Sequence, residues 1–192
     1  MSFELLLIIL KIFFKNIAYS IVNAKEDLVQ WDDPRNRKRM IVVRRLKKKR
    51  PNYVDQIFHK KHDEVFEEID CLKCANCCRT TSPIFRDIDI KRIAKKQRMK
   101  VVDFIEFYLK TDSDGDYVLK SSPCVFLDND DNTCSIYDYR PLACEGYPHT
   151  NRKNMYQILD LALENTTICP AAASIVTKLQ KVNTASLSKK KH

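Results

Sequence analysis

Glycine is scarce in this sequence, with only Gly115 and Gly146 among 192 residues. The two do not form the G-x-G-x-x-G or G-x-x-x-x-G-K-[ST] patterns of dinucleotide- and phosphate-binding loops. A G-x-S-x-G nucleophile elbow is missing as well. The sequence therefore excludes Rossmann-type and P-loop nucleotide sites, and it gives no support to an α/β-hydrolase.

Long apolar runs are also missing. The longest, LLLIILKIFF at residues 5–14, is about half of the roughly 20 residues that a membrane-spanning helix needs. Lys11 and Lys15 would share one face of a helix here, and such a helix lies on a membrane more naturally than it spans one. Two alternatives remain open: a cleaved secretory signal with Val22 and Ala24 at the cleavage site, and an N-terminal helix that packs on the domain or an over-extended start.

The positive charge of the chain is local. The net charge is +9, but residues 35–50 hold ten Lys or Arg and no acid, and the remainder has 24 basic and 25 acidic residues. We interpret this stretch as a solvated linker. Its charge could give weak, non-specific contact with nucleic acid or with an anionic membrane. No aromatic residue lies within it, so a stacking platform for single-stranded nucleic acid is absent there.

Apolar residues at helical spacing predict several helices between these ends. The first places Val54, Ile57 and Phe58 on one face, and the third places Val102, Ile105 and Leu109 on one side. Asp87 is the expected cap of the second, and Pro170 fits the first turn of the last. The predicted helices cover residues 53–70, 87–97, 101–109, 154–165 and 170–182.

Two acidic turns separate these helices. Asp114-Gly115 is a turn signal before a short β-like run, and residues 124–137, CVFLDNDDNTCSIY, predict a hairpin around a polar turn. Both turns alternate acidic residues as calcium loops do. However, Tyr117 and Thr133 replace the glycine at the sixth position, and the twelfth residue is not Glu in either. We therefore interpret both as hairpin turns.

The cysteines carry the strongest signal. They form the pattern C-x2-C-x2-C-C-x45-C-x9-C-x9-C-x24-C. Each C-x2-C step brings two sulfurs to one metal, and consecutive steps offer three thiolates in one short loop. Cys77 and Cys78 point in different directions, so either two centres are present or one of the pair has another role. Eight cysteines match two four-thiolate sites whose pairing the sequence leaves undetermined.

Other residues could complete or balance such sites. His59, His62 and His149 are alternative metal ligands. Their other interpretation is structural, as part of a solvated face for the first two. A four-thiolate zinc site or a [4Fe-4S]²⁺ cluster carries a net charge of −2, which nearby cations would offset. The cations near the cysteines in sequence are Lys73, Arg79, Arg140 and Lys153, and ordinary surface charge is their alternative role.

Two further interpretations of the cysteines stay open. Eight cysteines would suit a disulfide framework in a secreted domain, although two-residue loops such as that between Cys71 and Cys74 make poor disulfides. CLKC and CANC also have the spacing of a redox C-x-x-C motif, but the strand before it and the helix after it are missing.

The runs CLKCANCC, PCVFL and CSIYDYRPLACEGYP resemble the YkgJ-type cysteine-cluster family, which is described as a zinc- or iron-chelating domain. The resemblance covers about residues 53–180. Tyr137, Arg140, Pro141, Tyr147 and Pro148 belong to the same motif, either shaping the site or packing a small core. The resemblance implies metal-ligand roles for Cys71, Cys74, Cys77, Cys78, Cys124, Cys134 and Cys144, with Cys169 as a further member.

Taken together, these features predict a mostly α, α+β fold. The expected domain is small and helical, contains a β-hairpin, and is organised around cysteine-ligated metal or iron-sulfur centres. It would span residues 53–182, after an apolar helix and basic linker at 1–52 and before a basic tail at 183–192. We expect a cytoplasmic protein, peripheral to a membrane if its N-terminal helix lies on one.

The predicted function is that of a redox or metal/cluster module holding an iron-sulfur cluster or iron, which we slightly favour, or zinc. One alternative is a zinc-structured module that binds nucleic acid or a protein partner through residues 35–50. The other is the secreted, disulfide-bonded domain. The sequence identifies no substrate and leaves open whether the chain is an enzyme.

Overall fold

The computed structural model describes residues 28, 33–49 and 53–180. The described chain divides into two compact units: one contains residues 33–70 and 148–180 apart from the gap at 50–52, and the other contains residues 71–147. The second unit is thus inserted into the sequence of the first. The apolar segment at 5–14 and the basic tail at 183–192 lie outside the described residues, and the predicted domain boundary at 52 stays a prediction.

Short helices dominate both units, and some of them are joined or extended by single 3-10 turns. In chain order the elements are α1 (Pro34–Lys49), α2 (Val54–Phe66), α3 (Cys71–Cys74), α4 (Asn76–Thr80), α5 (Asp87–Lys96), α6 (Val101–Tyr108), β1 (Leu109–Thr111), β2 (Tyr117–Leu119), α7 (Leu142–Glu145), α8 (Leu159–Glu164) and α9 (Pro170–Leu179).

The basic stretch is a helix with one packed face, which differs from the expected solvated linker. Asn36, Arg39, Val43 and Leu46 of α1 are buried, and their spacing of three to four residues places them on one side of the helix. Arg39 donates from Nε to the Thr177 hydroxyl at 3.0 Å and from Nη1 to Asn36 Oδ1 at 3.2 Å. The sequence shows ten basic residues in this stretch, but it does not reveal that the side chain of Arg39 is buried.

The first unit is built on α2 and α9. The predicted apolar face of α2 is confirmed, with Val54, Ile57 and Phe58 buried, and α2 packs mainly on α9. Pro170 stands in the first turn of α9, as predicted. The predicted helix over 154–165 is present as a 3-10 turn, Met155–Ile158, followed by α8. These helices position the segment around residue 150.

The core of the second unit centres on Phe104 in α6. Its ring stacks on that of Phe126 with centroids 6.2 Å apart, and it lies 5.1 Å from that of Tyr108. The predicted apolar side of this helix is wrong at Val102, which is 70% exposed. Ile105 packs against the core and Leu109 is buried in it, so the prediction holds at these two positions. The core residues are Phe85, Ile90, Ile93, Ala94, Phe104, Leu109, Leu119, Phe126 and Ile136.

The two-stranded sheet forms at the first acidic turn. β1 and β2 are antiparallel, with Leu109 opposite Leu119 and Thr111 opposite Tyr117. The Asp112 carboxylate accepts hydrogen bonds from the backbone N–H groups of Asp114 and Asp116, both at 3.0 Å. Gly115 has φ +88°, a conformation that glycine adopts without steric cost. This turn is therefore a hairpin turn, as predicted.

The predicted hairpin over residues 124–137 is largely wrong. Only an isolated bridge between Leu127 and Cys134 forms, and a 3-10 turn follows at Tyr137–Tyr139. The polar turn itself is present, since Asp128 N–H donates to Thr133 carbonyl oxygen at 2.8 Å. The segment has too few alternating apolar residues to extend the bridge into strands.

The fold class is the predicted one, α+β and mostly α. Among the residues that the structure describes, no helix has the length and hydropathy required to cross a membrane.

Candidate metal centre

The first four cysteines lie on two short helices. Cys71 and Cys74 begin and end α3, and Cys77 and Cys78 lie in α4. Ala75 joins these helices with φ +47°, and its N–H donates to the Cys71 carbonyl oxygen at 3.0 Å. The left-handed residue turns the chain sharply, so the C-x2-C steps form a folded loop and not one continuous helix. Cys71 is exposed, and the other three are half-buried.

A backbone hydrogen bond connects this loop to the fifth cysteine. The Cys124 N–H donates to the Cys78 carbonyl oxygen at 2.8 Å. Beside it, the Ser122 hydroxyl donates to the Arg79 carbonyl oxygen at 2.9 Å, and Arg79 Nη2 donates to the Asn129 carbonyl oxygen at 3.2 Å. The segment over 122–129 is thus fixed along α4.

Cys124 and Cys134 are held by the core of the second unit, against which both side chains pack. The Leu127 N–H donates to the Cys124 carbonyl oxygen at 3.1 Å, and the Ser135 N–H donates to the Phe126 carbonyl oxygen at 2.9 Å. Aromatic packing around Phe126 therefore sets the positions of both thiols.

The loop before Cys144 is held by a buried carboxylate. Asp89, 1% exposed, accepts hydrogen bonds from Arg86 Nε at 3.0 Å and from Arg92 Nη2 at 2.9 Å. Arg92 Nη2 also donates to the Arg140 carbonyl oxygen. Pro141 follows, and its carbonyl oxygen accepts the Cys144 N–H at 2.9 Å. Helix α5 thereby positions the last cysteine of this unit.

The N-terminus of α5 differs from the prediction, and Arg92 makes a contact that the sequence does not predict. Asp87 was the expected cap of α5, but Arg86 occupies the N-cap position and Asp89 accepts its backbone N–H at 3.3 Å. The three-residue spacing of Arg86, Asp89 and Arg92 is a visible pairing signal in a helix. The contact with Arg140 is not visible, because it joins distant parts of the sequence.

Four thiols of this unit interact electrostatically, and we call Cys78, Cys124, Cys134 and Cys144 the thiol cluster. Burial raises the pKa of Cys124 to about 11 and that of Cys144 to about 12, and the negative charge of neighbouring thiolates contributes to both shifts. Burial, followed by the charge of Cys78, also raises the pKa of Cys134. Three separate segments supply these thiols.

Cys78 differs from the other three. A side-chain hydrogen bond with Cys77 lowers the pKa of Cys78 to about 7, and the positive charge of Arg79 adds to this effect against the opposing effect of burial. Cys78 is therefore the first thiol of the cluster to ionise. The hydrogen bond with the adjacent Cys77 is the largest cause of this decrease in the pKa of Cys78.

Two of the four predicted neighbouring cations act on these thiols. Arg79 lowers the pKa of Cys78, and Arg140 opposes the increases at Cys134 and Cys144. The Arg140 guanidinium lies 4.0 Å from the ring centroid of Tyr137, and its Nη1 donates to the Tyr137 carbonyl oxygen at 2.7 Å. Tyr137 is 41% exposed, so it orients Arg140 and does not fill the core.

Cys169 belongs to the other unit. It is the N-cap of α9, and its sulfur accepts a hydrogen bond from the Ala172 N–H at 3.5 Å. This gives the buried thiol a capping role, and its predicted ligand role stays a prediction. Lys153 also lies in that unit.

The histidines lie in the first unit as well. His62 Nδ1 is 2.8 Å from the Thr150 hydroxyl, and His59 Nε2 donates to the Arg152 carbonyl oxygen at 2.8 Å. Burial lowers the pKa of His62 and of His149. The rings of His59 and His62 connect α2 to residues 150–152 and are half-buried, which differs from the expected solvated face. A ligand role for these histidines stays a prediction.

The donors of the thiol cluster fit zinc, iron or an iron-sulfur cluster, since thiolate sulfur is the ligand that these groups share. All eight cysteines are free thiols, so the disulfide alternative gains no support. In the part of the chain that the structure describes, no three His, Cys, Asp or Glu side chains stand in a ready coordination geometry. The thiols would have to approach one another on binding.

One family model matches residues 70–170, just over half of the chain, and its description is "CxxCxxCC: Putative zinc- or iron-chelating domain". The matched range contains all eight cysteines. Neither the comparison with curated proteins nor that with solved structures finds a match. The chain therefore belongs to the CxxCxxCC family.

Proposed function

We propose that this protein is a redox or metal/cluster module that holds an iron-sulfur cluster or iron, or alternatively zinc, on the thiol cluster. The observation that supports this most directly is the convergence of four thiols from α4, the 124–134 segment and α7. Burial and the charge of neighbouring thiolates raise the pKa of three of these thiols, so their deprotonated forms are disfavoured without a counter-charge. A bound metal cation stabilises the deprotonated sulfurs, so metal binding accounts for the arrangement.

The raised thiol pKa values make metal binding depend on pH, because the metal must displace the protons of Cys124 and Cys144. Each additional thiolate raises the pKa of the others, as at Cys124 and Cys144. Metal binding requires deprotonated sulfur and releases the protons. Arg79 and Arg140 reduce the remaining negative charge, since Arg79 lowers the pKa of Cys78 and Arg140 opposes the raised pKa of Cys144.

We propose that Cys71, Cys74 and Cys77 form a second group of donors. Their C-x2-C-x2-C spacing places three thiols on one folded loop. The last cysteine of the run, Cys78, is in electrostatic contact with downstream cysteines and so belongs to the other group. In two-cluster ferredoxins the last cysteine of a similar run also serves the other cluster.

An iron-sulfur cluster would supply electron transfer, whereas zinc would supply a structural cross-link. The first experiment is metal and sulfide analysis with a visible absorption spectrum on full-length protein purified without oxygen. Brown protein with about four iron and four sulfide per centre supports the redox proposal. Colourless protein that contains zinc supports the metal-module proposal and contradicts the redox role. Protein with neither metal and with no free thiols contradicts the proposal.

Single variants then test the ligand assignment. Cys124→Ser and Cys144→Ser should each abolish one centre and lower the metal content accordingly. Cys169→Ser is the matched control, because its sulfur caps α9. If Cys169→Ser lowers metal content as strongly as Cys144→Ser, Cys169 is a ligand and the capping role is incidental. If Cys124→Ser and Cys144→Ser keep full metal content, the thiol cluster is not the centre.

A further inference from the structure

Helix α1 presents a face that the proposed metal function does not use. Arg37, Lys38, Arg44, Arg45 and Lys48 are exposed, and we call them, with the exposed Ile41, the cationic face. The opposite face of α1 holds Asn36, Arg39, Val43 and Leu46, which are buried. The helix is therefore fixed on one side, and the cationic face is displayed on the other.

The charges of this face are uncompensated among the described residues. The ion pairs of α1 within the described residues involve other positions: Arg35 with Asp33 at 3.0 Å and Lys47 with Asp160 at 2.6 Å. The five cations of the face make no ion pair or hydrogen bond with any side chain that the structure describes. Like charges three and four residues apart repel each other on a helix, so the face is complementary to an anionic partner.

Ile41 lies at the centre of this charge. It is 51% exposed, and its neighbours three and four residues away in both directions are Arg37, Lys38, Arg44 and Arg45. Positions at these spacings are adjacent on a helix surface. An apolar side chain ringed by cations suits a lipid interface, where the cations meet phosphate groups and the side chain enters the headgroup region.

The composition of the face favours lipid over nucleic acid. Nucleic-acid sites combine cations with aromatic stacking or amide contacts to bases. The cationic face has guanidinium groups but no aromatic or amide side chain, since Asn36 is buried, and its centre is the apolar Ile41. Clusters of four to eight Lys or Arg on an amphipathic helix are typical of binding to anionic lipid. We propose that the cationic face of α1 binds the surface of an anionic lipid bilayer.

The test is cosedimentation of the full chain with vesicles at low and moderate salt. Phosphatidylcholine vesicles are compared with vesicles of phosphatidylcholine and phosphatidylserine at a molar ratio of about 7:3. Binding to phosphatidylcholine alone measures any contribution that is independent of charge, including one from residues 5–14. We expect tighter binding to the anionic vesicles, with a difference that shrinks as salt screens the charges.

Two variants of equal charge localise the effect. One replaces Arg37, Arg44, Arg45 and Lys48 with Gln. The control replaces four exposed lysines elsewhere, Lys60, Lys91, Lys95 and Lys110. The first should lower partitioning onto anionic vesicles by at least about tenfold and the control by much less, because only charges at the membrane surface contribute. Far-ultraviolet circular dichroism verifies that both variants keep their helices.

Three results would overturn this proposal. Equal binding to both vesicle types removes the electrostatic basis, and an equal loss in both variants shows a net-charge effect without a specific face. Tighter binding to duplex DNA or RNA than to anionic vesicles at the same salt, abolished by the first variant, assigns the face to nucleic acid instead. None of the substituted residues belongs to the thiol cluster, so we expect both variants to keep the metal content of the wild type, and metal analysis separates these results from the proposed metal site.

Discussion

The backbone N–H of Cys124 donates a 2.8 Å hydrogen bond to the carbonyl oxygen of Cys78. This bond joins the C-x2-C-x2-C-C run to the downstream cysteines, which are far apart in sequence. The two thiols also interact electrostatically, because the charge of Cys78 contributes to the raised pKa of Cys124. One contact thus links the two halves of the cysteine pattern, and metal binding should depend on the folding of both.

Metal removal should unfold much of the unit over residues 71–147. Its core is small, and structural zinc sites supply about 10 to 16 kcal/mol of apparent binding free energy in zinc-finger peptides. We expect a chelator to reduce the helical circular dichroism signal and to expose this region to limited proteolysis. A spectrum and a cleavage pattern that do not change on complete metal removal would contradict a structural role for the metal.

Phe104→Ala should destabilise the same unit by about 3–5 kcal/mol, the usual cost of truncating a buried phenylalanine. The ring is fully buried and stacks on that of Phe126. Because this packing positions Cys124 and Cys134, metal content should fall as well. Denaturant unfolding with parallel metal analysis measures both effects.

The control for Phe104 is Phe107→Ala on the same helix, α6. Phe107 is 70% exposed, so this substitution should change the free energy of unfolding by no more than about 0.5 kcal/mol. Similar losses in the two variants would show that helix propensity, and not core packing, determines the result.

Arg92→Ala should loosen the loop that presents Cys144. The substitution removes one hydrogen bond to the buried Asp89 carboxylate and the bond to the Arg140 carbonyl oxygen. We expect a loss of about 1–3 kcal/mol, because a buried acceptor loses a partner. Lys91→Ala on the exposed side of α5 is the control. Unchanged unfolding and metal retention in Arg92→Ala would rule out this positioning role.

The stability of the second unit should fall in acid through Asp89. Burial alone raises the pKa of Asp89, but the hydrogen bonds from Arg86 and Arg92 outweigh it, so the net pKa is lowered from 3.8. A lowered folded-state pKa contributes stability that is complete well above pH 3.8 and is lost as the pH falls through the lower folded value. Denaturant unfolding at neutral pH and at stepwise lower pH should show the loss.

Asp89→Asn provides the comparison. This variant cannot titrate at position 89, so it should be less stable than the wild type at neutral pH, and the difference should narrow below pH 3.8. A constant difference across the acid range would show that Asp89 does not titrate as its hydrogen bonds imply.

The sequence by itself identified the cysteine family and located most of the helices. The C-x2-C-x2-C-C run and the motif around Cys144 lead to the CxxCxxCC family, since thiolate spacing is a local property of the chain. Apolar periodicity located α2 and α9 for the same reason. The prediction was wrong at Val102, because the face of α6 that enters the core is centred on Phe104.

Only the tertiary structure showed which thiols interact electrostatically. Cys78 interacts with Cys124, Cys134 and Cys144 and accepts a side-chain hydrogen bond from Cys77, and the sequence of two adjacent cysteines does not reveal this difference. The same holds for Arg92, which reaches Arg140 only after α5 has folded against the 3-10 turn. The buried face of α1 also required the structure, because a run of cations conceals which side contacts α8 and α9. Long-range packing, and not local propensity, sets these contacts.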